Sequence, residues 1–169
     1  MVTIHGTTKL IERLGLELQR DEVASTGVLG DWTADHVSTV RGDLIVVVND
    51  RTLLTIVIPW SDREAWEVLF RARTASLLSA LGVDHDRIER AYPHLAPVRI
   101  GAAHNRRVLG ALDEIARHVH AVAEDTDEGM PIGLSELEVA LGESPRTLLD
   151  GATPAQVAGE LLATDLPVS

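Results

Sequence analysis

The stretch from Leu44 to Pro59 constrains the fold of this chain more than any other. It reads Leu-Ile-Val-Val-Val, then Asn49-Asp50-Arg51, then Thr-Leu-Leu-Thr-Ile-Val-Ile before the proline. Two runs rich in β-branched residues around a short polar break predict a β-hairpin. Neither run alternates apolar with polar, and strands that are apolar throughout are those covered on both faces. The hairpin therefore belongs at the centre of a sheet with other elements packed over it. Upstream, Asp31-Trp32 opens a stretch of strand character that runs to Val40, and Arg41-Gly42-Asp43 turns the chain into the hairpin. Three consecutive strands joined by short turns make an antiparallel meander over residues 32–58. The expected fold is α+β, a mainly antiparallel sheet with helices packed on it.

The first strand of that meander has no clean apolar face. Trp32, Ala34, His36 and Val40 fall on one side, Thr33, Asp35, Val37 and Thr39 on the other. An edge strand, or one whose polar face lines a pocket, has this pattern. Val2 to Ile4 predicts a further short strand. Thr7 or Thr8 caps a helix that Gly15 ends. Residues 16–30 carry a weak pattern and predict a loop. After Pro59-Trp60, Ser61 and Glu64 stand at capping-box spacing, which predicts a helix from about residue 62 to Leu81. Its apolar stripe of Trp66, Leu69, Phe70, Leu77, Leu78 and Leu81 is core packing rather than a ligand cluster. Asp84 caps a short helix to Ala91, Val98 to Ile100 is a strand, and a long helix is predicted over 105–123. Residues 124–132, acidic and containing glycine and proline, are the candidate boundary. A core domain over 1–123 is thus followed by a short helical extension over 133–169 whose apolar residues can dock on the core or on a partner. The extension has helices from Leu134 to Leu141 and from Pro154 to Ala163, with Thr153 as cap.

Composition removes several functions. The formal net charge is −11, which repels nucleic-acid phosphates at long range and disfavours duplex DNA as a partner. There is no cysteine, so disulfides, zinc–thiolate sites and a cysteine nucleophile are excluded. The opening Met-Val-Thr-Ile-His-Gly lacks the pattern of a secretory leader, and no apolar run is long enough to span a bilayer. A soluble, cytoplasmic protein with no membrane partner is expected. Seven histidines invite a metal, but His118 and His120 point to different faces of one helix, and Asp84-His85-Asp86 sits where a helix start attracts acids anyway. No spacing rule links His36 to His5 or His104. No metal site and no cofactor is expected. No serine has a nucleophile-elbow context, and Ser61 already has a capping role.

The unusual local chemistry lies at His104-Asn105-Arg106-Arg107, where a helix begins. Helix N-termini favour acids, and bases there cost about 0.3–1 kcal/mol each. Two arginines in a first turn therefore need an answer: either nearby carboxylates pair with them, or an anion binds. Gly110, inside the same helix, suggests close approach of another backbone.

Asn-Arg-Arg-Val-Leu-Gly at 105–110 resembles the Asn-Arg-x-Val-Leu-Gly signature of an uncharacterised bacterial family, domain-of-unknown-function family 6933. Thr8-Lys9-Leu10, Asp31-Trp32-Thr33-Ala34 and Val48-Asn49-Asp50-Arg51-Thr52-Leu53-Leu54 are similar to other pieces of that family, in the same order. The chain departs at Arg107, where the family tends to have serine, so no role resting on a hydroxyl carries over there. The resemblance implies no activity, cofactor or catalytic residue. It directs attention to Trp32, Asn49, Asn105, Arg106 and Gly110.

Two functional expectations follow. One is a non-enzymatic interaction or regulatory protein, antitoxin-like or inhibitor-like, whose acidic surface and C-terminal helices meet a protein partner or a second copy of the chain. The other is an enzyme or sensor that binds a phosphate-bearing small molecule at Asn105, Arg106 and Arg107, with Trp32, His36 and Asn49 converging on the same pocket.

Overall fold

The computed structural model describes residues 1–164, so the last five positions of the predicted extension lie outside the described residues. Leu44 to Asn49 and Thr55 to Ile58 are buried at every position, and the reason is a sheet covered on both sides. Its strands are β1 (Val2–Gly6), β2 (Trp32–Thr39), β3 (Gly42–Asn49), β4 (Thr55–Pro59) and β5 (Val98–Ala102), in the order β4-β3-β2-β1-β5. Period-two alternation divides the hairpin between two cores. Ile45, Val47, Ile56 and Ile58 meet Trp66, Phe70, Leu77 and Leu78 on one face. Val46, Val48 and Val57 meet Val108, Leu112, Ile115, Leu137 and Leu141 on the other.

The meander over β2, β3 and β4 forms as expected, with Asp35 opposite Val46 and Val46 opposite Val57. The sheet as a whole is mixed, not mainly antiparallel: β1 lies parallel to both β2 and β5. The connections explain this correction. Helix α1 (Thr8–Leu14) separates β1 from β2, and helices α2 (Trp66–Ala80) and α3 (His85–Ala91) separate β4 from β5. A strand reached through a helical crossover can lie parallel to its neighbour, whereas a tight turn cannot deliver one. Because β1 pairs with it, β2 is internal rather than an edge. The edges are β4 and β5.

Local signals hold to different degrees. Thr7 caps α1 and Gly15 ends it at φ 63°. The Ser61–Glu64 box does not form: residues Trp60–Ala65 make a 3-10 turn without a side-chain cap, and α2 starts at Trp66. Here tertiary packing overrides a local pattern. Trp60 stands edge-on to the buried His36 ring at 4.8 Å, so the chain must first pass across the sheet before a helix can start. Asp84 precedes α3 without making a side-chain cap. Gly110 has no close neighbour, since a Cβ there would meet nothing within 4 Å.

Helix α4 (Arg106–Asp125) crosses β2 and β3 on one face. The extension splits over both faces. In α5 (Leu134–Gly142), Leu137 and Leu141 enter the α4-side core. In α6 (Pro154–Ala163), capped by the Thr153–Gln156 box, Ala158 and Leu162 enter the other core. Among the described residues no helix is long and apolar enough to cross a membrane.

Candidate functional site

Three of the six expected site residues are interior groups: Asn49 serves the fold through its amide, whereas Trp32 Nε1 and His36 Nδ1 are buried without a hydrogen-bond partner among the described residues. Asn49 is fully buried. Its Oδ1 accepts from the Thr52 amide at 2.9 Å, the Thr52 hydroxyl at 2.9 Å and the Arg51 amide at 3.1 Å, and its Nδ2 donates to the Leu29 carbonyl at 2.9 Å. It closes the β3–β4 turn and ties it to the preceding loop. His36 pairs through Nε2 with Asp43 Oδ2 at 3.0 Å. Trp32 is 0 % exposed and packs edge-on against Phe70 at 5.0 Å, on the sheet face away from α4. These side chains do not converge with the head of α4.

The other three do sit together. Asn105 is the N-cap of α4, its Oδ1 accepting from the Val108 amide at 3.3 Å. That bond sets the helix start, so Arg106 and Arg107 occupy its first two positions. Arg107 finds backbone carbonyls rather than carboxylates: Nη2 donates to Leu148 at 2.7 Å and Nη1 to Asp50 at 3.4 Å. Arg106 is exposed and makes no hydrogen bond or ion pair with any described residue.

Both arginines line a pocket of about 420 Å³ between the first turns of α4 and the 3-10 turn Thr147–Leu149. The extension supplies a third guanidinium, Arg146, which pattern reasoning missed. Arg146 Nη2 reaches the Leu141 carbonyl at 3.5 Å, and its Nε is buried with no partner. Burial pushes its pKa down, against the nearby Glu114 carboxylate that favours its charge. Among the described residues, Glu114 is the only acid lining the pocket. Gly110 belongs here too: the missing side chain leaves the pocket wall open beside Arg106 and Arg107. Leu53, held at φ 60°, and Ile115 complete an apolar back wall. Three guanidinium groups against one carboxylate give this pocket a local positive balance in a chain of net charge −11. The only advance signal for Arg146 was a cation in the Ser144-Pro145-Arg146 loop.

Among the described residues no group of three or more histidine or acidic side chains is placed to hold a metal ion. The class defined by these features is an α+β domain with a mixed five-stranded sheet covered on both faces and an arginine-lined pocket at the head of its longest helix. More particularly, the chain belongs to the family described as Domain of unknown function (DUF6933), whose model matches residues 3–157. That span includes Arg146 as well as the head of α4. No curated protein and no solved structure matches the chain.

Proposed function

We propose that this domain is a cytoplasmic sensor or regulatory module that binds a phosphate-bearing small molecule between Arg106, Arg107 and Arg146. The observation that carries this reading is the unpaired Arg106 guanidinium and the buried, partnerless Arg146 Nε beside one pocket. Buried donors without acceptors cost about 1–3 kcal/mol, and a bound phosphoryl group would supply acceptors. The lining is chemistry for binding: guanidinium forks for oxyanions, and Leu53 and Ile115 for an apolar portion of the ligand.

Thermal-shift titration with pyrophosphate and with nucleoside mono- and triphosphates tests it. A ligand at about 100 times its Kd adds about 2.7 kcal/mol. In a domain of this size that raises Tm by about 5–11 °C. Arg146→Leu and Arg106→Leu should each abolish the shift. No shift with any phosphate compound, or a shift unchanged in Arg146→Leu, would refute the reading.

A protein partner is the second reading, favoured by the exposed acidic residues Glu124 and Asp125 at the end of α4 and Asp127 and Glu128 just beyond it. Such a partner would be basic, and its retention on the immobilised domain would fall steeply with salt.

A further inference from the structure

Helix α4 covers β2 and β3 and α5 covers β4, which leaves the same face of β1 and β5 without a helix. The loop before β2 arches over it instead: the Gln19 amide donates to the Ile100 carbonyl at 2.9 Å, and the Thr3 hydroxyl donates to the Val23 carbonyl at 3.1 Å. Between loop and strands lies a cleft of about 740 Å³, separate from the arginine pocket and sharing no lining residue with it.

Opposite charges stand in a row across its floor. Thr3 pairs with Arg99 on β5, and Asp31 immediately precedes Trp32, the partner of Ile4 on β2. Arg99 and Asp31 are thus two strand spacings apart, about 10 Å between main chains, with Thr3, under the Val23 carbonyl, and the Ser25 hydroxyl between them. Each is prepared to meet a ligand. Arg99 is held by Asp21 through one nitrogen, Nη2, at 3.1 Å, and Asp21 is itself 76 % exposed. Arg20, on the wall, is exposed and has no partner among the described residues.

Asp31 is fixed more firmly. Ser25 Oγ donates to Oδ1 at 2.5 Å and His5 Nε2 lies 3.0 Å from Oδ2. Burial opposes its ionisation, but the hydrogen bonds from Ser25 and His5, with the charge of His5, outweigh it and hold the carboxyl below the usual range. His104 stands edge-on to His5 at 4.8 Å, and its Nδ1 donates to the Ala102 carbonyl at 3.1 Å. His104 and Asp31 line the same cleft. At the mouth, Leu18 and Val23, each 42 % exposed, add apolar surface.

We infer that this cleft binds a zwitterionic small molecule with an apolar side chain, an amino acid or short peptide. The ligand carboxylate would meet Arg99 and Arg20, its ammonium Asp31, and its side chain Leu18 and Val23. A simple anion suits the cleft less well than a zwitterion, because Asp21, Glu22 and Asp31 line it along with the two arginines.

The test separates the two charges. Leucine, isovalerate, which lacks the ammonium, and isoamylamine, which lacks the carboxylate, are each titrated into the whole chain to ~10 mM. The readout is the imidazole nitrogen resonances of all seven histidines. Leucine should shift His5 and His104 alone and bind at least about tenfold more tightly than either half-molecule, a difference of about 1.4 kcal/mol. Arg99→Gln should cost leucine about tenfold, and Arg20→Gln, at an exposed position, serves if the β5 variant folds poorly. Equal binding of isovalerate or isoamylamine, or no imidazole shift with any of the three, would overturn the inference. Because pyrophosphate binding is read at Arg146, either site can fail without the other.

Discussion

Glu138 offers a direct test of how the extension is attached. It is 3 % exposed on α5, yet carries a carboxylate. Its Oε2 accepts from the Val57 amide at 2.8 Å and from Arg73 Nε at 3.1 Å, and its Oε1 from Arg73 Nη2 at 2.5 Å. Val57 lies on β4, an edge of the sheet, so this one side chain occupies an edge donor and bridges α5 to α2. Burial pushes the Glu138 carboxyl up, while the Arg73 hydrogen bonds, the Val57 amide and the Arg73 charge pull the other way. Glu138→Ala strands all three donors. Breaking a buried pair by removing one partner costs about 3–5 kcal/mol. Arg73 keeps 22 % of its side chain exposed, which argues for the low end, about 3 kcal/mol. At about 2–4 °C per kcal/mol for a domain of this size, Tm should fall by about 6–12 °C in calorimetry. Glu138→Gln keeps an oxygen for Val57 and should cost about half as much or less. A fall of less than about 2 °C in Glu138→Ala, or a glutamine variant as damaging as the alanine one, would show that the bridge contributes little beyond packing.

Two neighbouring carboxyls should titrate stability in opposite senses. Asp31 lies below its ordinary range in the folded chain, so its contribution is present above the unfolded value of about 3.9 and is lost as pH falls through the folded one. Burial, opposed by the Thr33 hydrogen bond, raises Asp50; its contribution is present at low pH and lost as pH rises through the folded value. In melting curves against pH, Asp31→Asn should therefore flatten the acid limb, and Asp50→Asn should raise Tm at neutral pH. Two glycines should also diverge. Gly110→Ala fills open space on a helix and should gain about 1 kcal/mol, raising Tm by about 2–4 °C. At Gly101 a Cβ would lie 2.7 Å from His5 Nδ1, so Gly101→Ala should lower Tm and shift the His5 imidazole resonances.

What could be read in advance divides by the range over which its cause acts. The central hairpin was legible because burial on both faces writes itself into every position from Leu44 to Val48 and from Ile56 to Ile58. Caps were legible where nothing competed, as at Thr7 and Thr153. The Ser61–Glu64 pattern was equally good locally and failed, because Trp60 is held against His36 across the sheet. Strand character says nothing about which neighbour a strand takes, so the parallel pairing of β1 could not be had from Val2 to Ile4 themselves. The polar residues of the sheet show the same limit. Asn49 and His36 looked like pocket groups because polarity in a strand is visible, while the Leu29 carbonyl and the Asp43 carboxylate that engage them are not.

Arg106 and Arg107 stood out for a different reason: they violate a rule about helix ends, and a violated rule is visible without knowing the fold. Arg146 breaks no rule where it stands in the sequence, and it joins them only because the extension folds back, Leu148 reaching Arg107 across 41 positions. The row of Arg99, Thr3 and Asp31 is the extreme case. Each is ordinary in its own strand or loop, and they become a charge pair only through the parallel register of β1 with β5 and β2. A site built from local contradiction can be found by reading along the chain. One built from register needs the sheet first, which is why the mixed topology, which the sequence misjudged, is also the feature on which the second cleft depends.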